Sequence, residues 1–270
     1  MTNRLRAARS CALALLLSAC ALTDIGGADK EASASGKPSA SGKPPAPSQA
    51  SASRVAEAAR TSGDFATAVR VYPKAIAADE ASVDWVGYGL ALFGNGQLED
   101  ATSAFDRAIK MQPWRTDAQL GLGQVYLARR KPQEAVVAFD AASAAGPDRM
   151  RALNGKGVAL DMLGRHAEAQ AAYRAALALA PDDKAVRNNL GLSLALGGVY
   201  DESVRLLSAL VLEPGATARN RQNLALAFGL RGDAKGAAQV ARHDLDEDVV
   251  LNNLRWFEAA RAIGQPVAAR

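Results

Sequence analysis

Few residues in this 270-residue sequence have the types and spacing that catalysis or metal binding requires. The two histidines, His166 and His243, do not stand near a serine or cysteine in any hydrolase motif. The acidic run Asp244 to Asp248 lacks the twelve-residue spacing and the central glycine of a calcium-binding loop. A solvated loop whose carboxylates cap the following helix accounts for these acids better. We therefore predict no catalytic residue and no metal site.

Two closely spaced glycines, Gly121 and Gly123, raise the question of a phosphate-binding loop. They lie inside a helical pattern with no preceding strand, so they do not fit a loop that joins a strand to a helix around a phosphate. We interpret them as packing glycines at a close contact between helices. The sequence is thus predicted to bind no cofactor and no small-molecule substrate, and we expect it not to be an enzyme.

The charge of the chain gives no indication of a nucleic-acid partner. Its formal net charge of +4 includes Arg4, Arg6 and Arg9, which lie in an N-terminal segment that we interpret below as removed during export. Without these three residues, 29 basic residues stand against 28 acidic ones. The basic residues are interspersed with acids and form no run of five or more, so we exclude nucleic acid as a partner.

The N-terminus has the features of an export signal. Three arginines precede the apolar stretch Cys11 to Leu17, which is too short to span a bilayer as a helix. The stretch ends in Leu17-Ser18-Ala19-Cys20, which resembles the lipobox of bacterial lipoproteins, where the signal is cut before a cysteine that is then acylated. An ordinary signal peptide whose small-residue cleavage site ends in cysteine is the alternative. The resemblance implies a signal peptide over residues 1–19 and a lipid on Cys20.

Both cysteines of the sequence belong to this N-terminal region. Cys11 would leave with the signal and Cys20 would carry lipid, so no free thiol would remain for redox chemistry. Several acyl chains would anchor the protein firmly in a membrane, since each buried methylene contributes about 0.8 kcal/mol. By resemblance to lipoprotein sorting, Ala21 after the cysteine implies the outer membrane, and we expect the protein on its periplasmic face.

Residues 20–53 are predicted to form a disordered tether behind the lipid anchor. From about Leu22 the composition shifts to Ser, Ala, Gly, Pro and Lys, and Ser33–Pro38 recurs identically as Ser39–Pro44. Such a composition cannot bury a core. A tether of about 30 residues has a root-mean-square reach of roughly 30 Å, which would hold the folded part off the membrane.

Beyond Arg54 the sequence repeats with a period of 34 residues. In the clearest unit, Trp85 to Leu92 and Ala101 to Ala108 form two apolar stripes with helical spacing, separated by Gly94-Asn95-Gly96 and closed by Pro113. The unit is therefore a helical hairpin whose small residues let the paired helices approach closely. The small position of the first helix recurs as Gly89, Gly123, Gly157, Gly191 and Ala225, and the large position of the second helix as Phe105, Phe139, Tyr173 and Leu207, with Ala241 in the last unit.

These residues resemble the tetratricopeptide signature, strongly from about Ser82 to Asp248 and weakly from Arg54 to Ala81. The resemblance implies an all-α fold, a tetratricopeptide-repeat superhelix in which helical hairpins form a right-handed α-solenoid with a C-terminal capping helix. We expect this domain over residues 54–263, with a degenerate first repeat, five further repeats and a capping helix near Val249 to Ile263. A tail over residues 264–270 would follow.

In tetratricopeptide arrays, positions two, five, six and nine of each first helix face a concave groove, and asparagine at position six often hydrogen-bonds the backbone of a bound peptide. An amide offers both a donor and an acceptor, as an extended backbone requires, whereas helix interiors do not otherwise favour asparagine. We therefore expect these amides to bind a ligand in the groove; the alternative is that they are merely solvated or bond to neighbouring loops. By this numbering the predicted peptide-binding groove comprises Arg151 and Arg219 at position two, Asn154, Asn188 and Gln222 at position five, Asn189 and Asn223 at position six, and Asn253 in the capping helix.

The chain as a whole resembles the TadD-type lipoproteins of tight-adherence (Flp) pilus systems. The resemblance rests on the lipobox, the tether, the repeats and the closing residues Asp244-Leu245-Asp246 and Asn252-Asn253-Leu254. The family often has an aromatic pair directly after Asn-Asn-Leu, whereas here Arg255 stands between this motif and Trp256-Phe257. It implies a pilotin-like adaptor that helps to place or assemble an outer-membrane secretin, or that binds other pilus-assembly proteins. The alternative function is a periplasmic lipoprotein that regulates cell-wall or envelope-assembly enzymes.

Overall fold

Helical hairpins account for most of the chain that the structure describes. The structure, a computed structural model, describes residues 49–78, 80, 83–144 and 146–264. The predicted signal peptide, the lipid on Cys20, most of the tether and nearly all of the tail lie outside the described residues and stay predictions.

Thirteen helices and no strand occur among the described residues. In this part of the chain no helix is both long and apolar enough to cross a membrane. The helices are α1 (Gln49–Thr61), α2 (Phe65–Ala78), α3 (Trp85–Gly94), α4 (Leu98–Met111), α5 (Thr116–Ala128), α6 (Pro132–Ser143), α7 (Arg149–Met162), α8 (His166–Leu179), α9 (Lys184–Leu196), α10 (Tyr200–Leu212), α11 (Ala218–Arg231), α12 (Ala234–Ala241) and α13 (Glu247–Gly264).

The helices form consecutive hairpins in two compact units, α1–α6 and α7–α13. In the first unit α1 packs with α2, α3 with α4, and α5 with α6; in the second, α7 packs with α8, α9 with α10, and α11 with α12. The last helix, α13, packs against α11 and α12. The predicted all-α fold of helical hairpins with a C-terminal capping helix is thereby confirmed. Because α1 begins at Gln49, the helices start ahead of the boundary predicted at Arg54.

Glycines and capping residues define the ends of these helices. Gly96 and Gly164, in the turns of two hairpins, have φ angles of +79° and +73°, a region that side chains other than glycine rarely adopt. Asp183 caps α9, because its carboxylate accepts a 2.9 Å hydrogen bond from the backbone N–H of Val186. Side-chain capping therefore marks the start of α9, and the two glycines mark the reversals of their hairpins.

Close contacts between glycine in one helix and a large residue in its partner form the centre of four hairpins, from α3–α4 to α9–α10. Gly121 makes a further contact of this kind with the preceding hairpin, where an added Cβ would lie 3.0 Å from Phe105 Cε2. The interpretation of Gly121 and Gly123 as packing glycines is therefore confirmed. Within the hairpins, an added Cβ would lie 2.8 Å from Phe105 Cε1 at Gly89, 2.6 Å from Phe139 Cε1 at Gly123, 2.6 Å from Tyr173 Cζ at Gly157 and 2.5 Å from Leu207 Cγ at Gly191.

The last hairpin has a different core, because α12 has only eight residues and carries Ala241 at the large position. The second helices also have a small residue four positions before the large one, Ala101, Ala135, Ala169 and Ser203 in the earlier repeats, and Ala237 at this position of α12 is still buried at 1% exposure. Val250 of α13 packs with Ala225 and Ala241 where other hairpins have the large residue, and Phe257 of α13 packs on α11 one turn further along, where a Cβ on Gly229 would lie 2.7 Å from Phe257 Cε2. The repeat register therefore continues through α12, and the capping helix completes its core.

Candidate protein-binding face

Two asparagine pairs join the first helices of the second unit. We call positions two, five, six and nine of α7, α9 and α11 the first-helix face; these helices contact one another in chain order. Asn189 Nδ2 donates a 3.0 Å hydrogen bond to Asn154 Oδ1, and Asn223 Nδ2 donates a 3.0 Å hydrogen bond to Asn188 Oδ1. Each pair links position five of one repeat to position six of the next. The same contact therefore recurs at two successive interfaces between repeats.

The paired asparagines are more buried than the sequence predicted. Asn154, Asn188 and Asn223 are 7%, 2% and 4% exposed, and Asn189 is half-buried. Asn223 is thus buried in the free protein, in contact with Asn188. The physical reason is that position six lies against the second helix of the preceding repeat: a Cβ on Gly121, at the same position of an earlier repeat, would lie 3.0 Å from an aromatic ring of that helix.

Each pair leaves one hydrogen-bond donor and one acceptor without a protein partner among the described residues. In the first pair these are Asn154 Nδ2 and Asn189 Oδ1, and in the second pair they are Asn188 Nδ2 and Asn223 Oδ1. An extended peptide backbone presents N–H and C=O groups in alternation, so it can use such a donor and acceptor in turn. The first pair, in which Asn189 is half-buried, therefore has the chemistry to bind a stretch of an extended chain, whereas Asn188 and Asn223 are 2% and 4% exposed and are closed to a peptide backbone.

A third amide, not predicted from the sequence, holds the second pair in place. Asn220 Nδ2 donates a 2.9 Å hydrogen bond to Asn188 Oδ1, so this oxygen accepts from two amides. Asn220 is itself fixed by a capping box at the start of α11, in which it exchanges hydrogen bonds with Thr217. The threonine three residues before an amide at a helix start is the sequence signal that could have identified it.

The remaining predicted groove residues lie on the same helices or on the capping helix. Arg151 and Gln222 are exposed on α7 and α11, Arg219 is half-buried on α11, and Asn253 is half-buried on α13. Each arginine lies one helical turn before an asparagine of a pair, on the same side of its helix. The structure thus brings the four paired asparagines into contact and places two basic side chains beside them.

The first unit has no asparagine at the corresponding positions of α3 and α5. Its helices form the same hairpins with apolar residues and glycine at most of these positions, so stacking does not require asparagine there. The residues at positions two, five, six and nine are Val83, Val86, Gly87 and Leu90 in α3 and the turn before it, and Asp117, Leu120, Gly121 and Gln124 in α5.

A buried polar cluster of Asp161, His166, Tyr173 and Ser193 connects α7, α8 and α9. The Asp161 carboxylate, 5% exposed, accepts a 2.7 Å hydrogen bond at Oδ1 from Ser193 Oγ and a 3.0 Å hydrogen bond at Oδ2 from the Tyr173 hydroxyl. His166 Nδ1 lies 2.8 Å from Asp161 Oδ1. Burial, reinforced by the negative charge of Asp161, raises the pKa of Tyr173 well above its ordinary value. The tyrosine hydroxyl therefore stays protonated and donates.

This cluster has the residue types of a serine hydrolase without the geometry. A nucleophilic serine must pass its proton to the histidine, whereas Ser193 Oγ and His166 Nδ1 both contact the same carboxylate oxygen of Asp161. Ser193 is 0% exposed, so a substrate has no access to its hydroxyl. The cluster is therefore a structural contact between two consecutive repeats.

Two departures from the repeat pattern are the sequence signal for this cluster. Asp161 and Ser193 occupy positions that are apolar or glycine in the other repeats, and a polar side chain in such a core needs a polar partner. The corresponding residues are Phe93, Leu127, Ala195 and Gly229 at position twelve, and Ala91, Val125, Ala159 and Ala227 at position ten.

The acidic run before α13 pairs with arginines. Arg221 donates hydrogen bonds of 2.7 and 2.6 Å to the two oxygens of Asp244, and Arg242 pairs with Glu247 at 2.7 Å. The hydrogen bonds from Arg221 hold the pKa of Asp244 below its ordinary value. In the part of the chain that the structure describes, no three potential metal ligands come together. Asp244 thus fastens the loop to α11, a role that the prediction of a solvated capping loop did not include.

The repeats also identify the family. The sequence profile of the tetratricopeptide repeat matches residues 54–113, 86–148, 120–183 and 163–221, which together cover more than half of the chain. The chain belongs to the tetratricopeptide repeat family. Members of this family bind protein partners and are generally scaffolds without enzymatic activity. No curated protein matches the chain.

Solved structures of other proteins share the fold at low sequence identity. The crystal structure of MamA protein matches with a TM-score of 0.54 and 24% identity, over 60% of this chain and 90% of its own. YrrB, described as a TPR protein with an unusual peptide-binding site, matches with a TM-score of 0.57 and 22% identity, over 68% and 97%. A tetratricopeptide repeat protein from Parabacteroides merdae ATCC 43184 matches with a TM-score of 0.57 and 15% identity, over 78% and 84%. These matches confirm the tetratricopeptide-repeat fold.

Proposed function

We propose that this protein is a non-enzymatic adaptor that binds an extended segment of another protein on its first-helix face. The observation that carries the proposal is the donor and the acceptor that the first asparagine pair, Asn154 and Asn189, leaves without a protein partner among the described residues. A peptide backbone placed on this pair would satisfy both groups. A peptide-binding site is also described for YrrB, which shares the fold.

Helix packing alone does not account for the asparagines. The helices of the first unit stack with glycine or apolar residues at positions five and six, so an amide pair there is not a requirement of the fold. Asparagine in a helix interior also lowers helix stability relative to alanine. A ligand that uses the remaining donor and acceptor gives these residues a function.

We further propose that the protein is a lipid-anchored lipoprotein on the periplasmic face of the outer membrane. The support is the lipobox ending at Cys20, followed by Ala21. Cys20→Ser should release the protein from outer-membrane fractions or leave it as uncleaved precursor, because anchoring depends on that thiol. Fractionation and the mass of the mature protein measure both effects, and no change in either would contradict the lipid anchor.

The partner that we propose is an outer-membrane secretin or another pilus-assembly protein, which the adaptor would help to place or assemble in a pilotin-like role. The support is the resemblance to TadD-type lipoproteins, in particular the residues Asp244-Leu245-Asp246 and Asn252-Asn253-Leu254. A periplasmic or C-terminal fragment of such a secretin is therefore the ligand to test first.

The binding proposal is tested by replacing Asn154 and Asn189 together with alanine. Both changes raise helix propensity, and removing both side chains together leaves no single amide without its partner. The melting temperature should therefore stay close to that of the wild type. A bound backbone would lose its partners, at about 1–3 kcal/mol for each group left unpaired, so Kd should rise about tenfold or more. Calorimetric titration of the full chain with the secretin fragments measures the change.

Gln133→Ala is the matched control, because Gln133 is an exposed amide on α6 of the first unit. It should leave both binding and melting unchanged. Equal affinity of the wild type and the double asparagine variant would show that the partner binds elsewhere. Binding of a cell-wall synthesis enzyme in place of the secretin would favour the regulatory function over the pilotin-like one.

A further inference from the structure

An exposed aromatic side chain lies in the turn between α4 and α5 of the first unit. Trp114 in this turn is 76% exposed, and Met111 at the end of α4 is 37% exposed. Tryptophan combines a large apolar ring with one polar N–H group, so most of its surface is more stable away from water. We call Met111 and Trp114 together the Trp114 patch.

The turn that displays Trp114 has a defined backbone position. The backbone N–H of Arg115 donates a 3.1 Å hydrogen bond to the carbonyl of Gln112, which closes the turn around Trp114. Arg115 Nε donates a 3.0 Å hydrogen bond to Asp117 Oδ1 at the start of α5, and Arg115 Nη1 donates one of 3.3 Å to Asp84 Oδ1, at the N-cap of α3. Arg115 thus fastens the turn to the starts of two helices, and the turn presents the indole at the surface.

The start of α1 lies on the same edge of the first unit as this turn. Helices joined by a short turn run antiparallel, so the hairpin turns at Gly63 and Gly96 lie on one edge and the outer ends of the hairpins lie on the other. The start of α1 at Gln49 and the turn that follows α4 both belong to the second edge, which we call the loop edge. The chain that precedes α1 therefore joins the fold on the side where Trp114 protrudes.

Most of the charge beside the patch is neutralised by ion pairs. Arg107 on α4 pairs with Glu80 at 2.6 Å, and Arg115 pairs with Asp84 and with Asp117. Lys110, in the last turn of α4, adds one positive charge. Exposed ion pairs contribute little to binding and are screened by salt. A partner of the loop edge would therefore be held mainly through the apolar side chains.

The length of the chain before α1 indicates which partner covers the patch. Cys20, the predicted site of the lipid, precedes Gln49 by about 30 residues, and a tether of that length has a root-mean-square reach of roughly 30 Å. Attachment at such a reach gives the loop edge a high effective concentration at the bilayer surface. Tryptophan is also enriched where lipid headgroups meet the acyl chains, because its ring is apolar and its N–H is polar.

We propose that Trp114 and Met111 form a membrane-contact site, which inserts into the headgroup region of the bilayer that holds the lipid anchor. This inference rests on the proposed lipid anchor, because two apolar side chains alone bind a bilayer weakly. The contact would place the loop edge of the first unit on the membrane, with the hairpin turns at Gly63 and Gly96 directed away from it. Anchor and patch together would thus orient the first unit, which the anchor alone would leave free to rotate.

Fluorescence of Trp114 tests the proposal in the full chain, purified from membranes and reconstituted into vesicles of phosphatidylethanolamine and phosphatidylglycerol. The sequence has three tryptophans, so Trp85→Phe with Trp256→Phe leaves Trp114 as the only indole and the patch intact. Its emission should shift to shorter wavelength on reconstitution, and lipids with brominated acyl chains should quench it. The quenching should persist at about 1 M salt, where charge interactions are screened. Circular dichroism checks the fold, and Trp85→Tyr serves where Trp85→Phe lowers the melting temperature.

An indole at position 137 is the matched control. Val137 is 66% exposed, close to the exposure of Trp114, but it lies in the middle of α6 and away from the loop edge. Val137→Trp, in a chain whose three tryptophans are replaced by phenylalanine, reports on an exposed indole of the same unit. Brominated lipids should quench this indole several-fold less than Trp114, and its emission should not shift.

The mass of the mature protein, measured separately, distinguishes the failure of this inference from the failure of the lipid anchor. If the mass includes the lipid but Trp114 is quenched no more than the indole at position 137, the membrane contact is wrong and the anchor stands. If the mass lacks the lipid and Trp114 is not quenched, both are wrong. Quenching of Trp114 without the lipid would support the contact and refute the anchor. A shift of Trp114 emission with a secretin fragment and not with vesicles would identify a protein contact and overturn the inference.

Discussion

Ser193→Ala would measure the stabilisation that the buried carboxylate cluster provides. Ser193 is 0% exposed, and its hydroxyl donates a 2.7 Å hydrogen bond to Asp161 Oδ1. Alanine fits this position without a clash, because Ala91, Ala159 and Ala227 occupy it in three other repeats and are all buried. The substitution therefore removes one hydrogen bond to a carboxylate and changes the packing little.

Ser203→Ala is the matched reference for the magnitude. Ser203 is also 0% exposed and donates a 2.6 Å hydrogen bond, but its acceptor is the backbone oxygen of Gly191. Hydrogen bonds to charged groups contribute about 1.5–3 kcal/mol, whereas neutral ones contribute about 0.5–1.5 kcal/mol. The change in helix propensity has the same sign at both sites. We therefore expect Ser193→Ala to lower the free energy of unfolding about twice as much as Ser203→Ala.

Urea unfolding of the full chain, followed by far-ultraviolet circular dichroism, gives both free energies by linear extrapolation. Hydrogen exchange should locate the weakened amides of Ser193→Ala in α7, α8 and α9, because stability in repeat proteins is coupled to nearest neighbours. A loss for Ser193→Ala that is equal to or smaller than the loss for Ser203→Ala would refute the argument. It would mean that the Asp161 carboxylate does not strengthen this hydrogen bond.

Two further perturbations test other parts of the second unit. Gly157→Leu should lower the free energy of unfolding by about 1–3 kcal/mol, because even the Cβ of the new leucine would lie 2.6 Å from Tyr173 Cζ. A thermal melt identical to that of the wild type would contradict this packing. Arg221 lowers the pKa of Asp244 in the folded state. The ionised carboxylate of Asp244 therefore stabilises the fold above the ordinary carboxyl pKa of about 4, and this stabilisation is lost as the pH falls below that value. The urea midpoints of the wild type and of Asp244→Asn should therefore differ at about pH 6 and converge toward about pH 3; a difference that stays constant with pH would count against the pairing.

The hairpins were predictable from the sequence because small and large residues recur at the same positions in successive repeats. Gly157 and Tyr173, for example, stand at positions where other repeats have the same glycine and another large residue, and the helix period places the two side by side. The packing of Val250 and Phe257 of α13 on the last hairpin was not predictable in this way. It depends on how one helix at the end of the array packs, for which no second copy exists in the sequence.

The candidate site was predictable as a set of residues but not as a set of contacts. The family numbering placed Asn188 and Asn223 on the first-helix face, yet it describes the face of a single repeat. Their hydrogen bond joins two repeats, and Asn220 adds a second donor from the helix cap. Asp161 and Ser193 were missed because each looks unremarkable within its own helix, and only their joint departure from the repeat pattern indicates that they meet.

The first asparagine pair and the carboxylate cluster act on the same two helices. Asn154 and Asp161 lie about 10 Å apart along α7, and their partners Asn189 and Ser193 both lie on α9. Side-chain hydrogen bonds at two separate points fix the angle between the helices better than one contact would. The groups of Asn154 and Asn189 that have no partner among the described residues are therefore held at a constant separation, and a preorganised site binds its ligand with less loss of entropy. It follows that Ser193→Ala should weaken ligand binding as well as stability, whereas Ser203→Ala should leave the affinity unchanged. Equal affinities of the two serine variants would show that the cluster stabilises the fold without ordering the site.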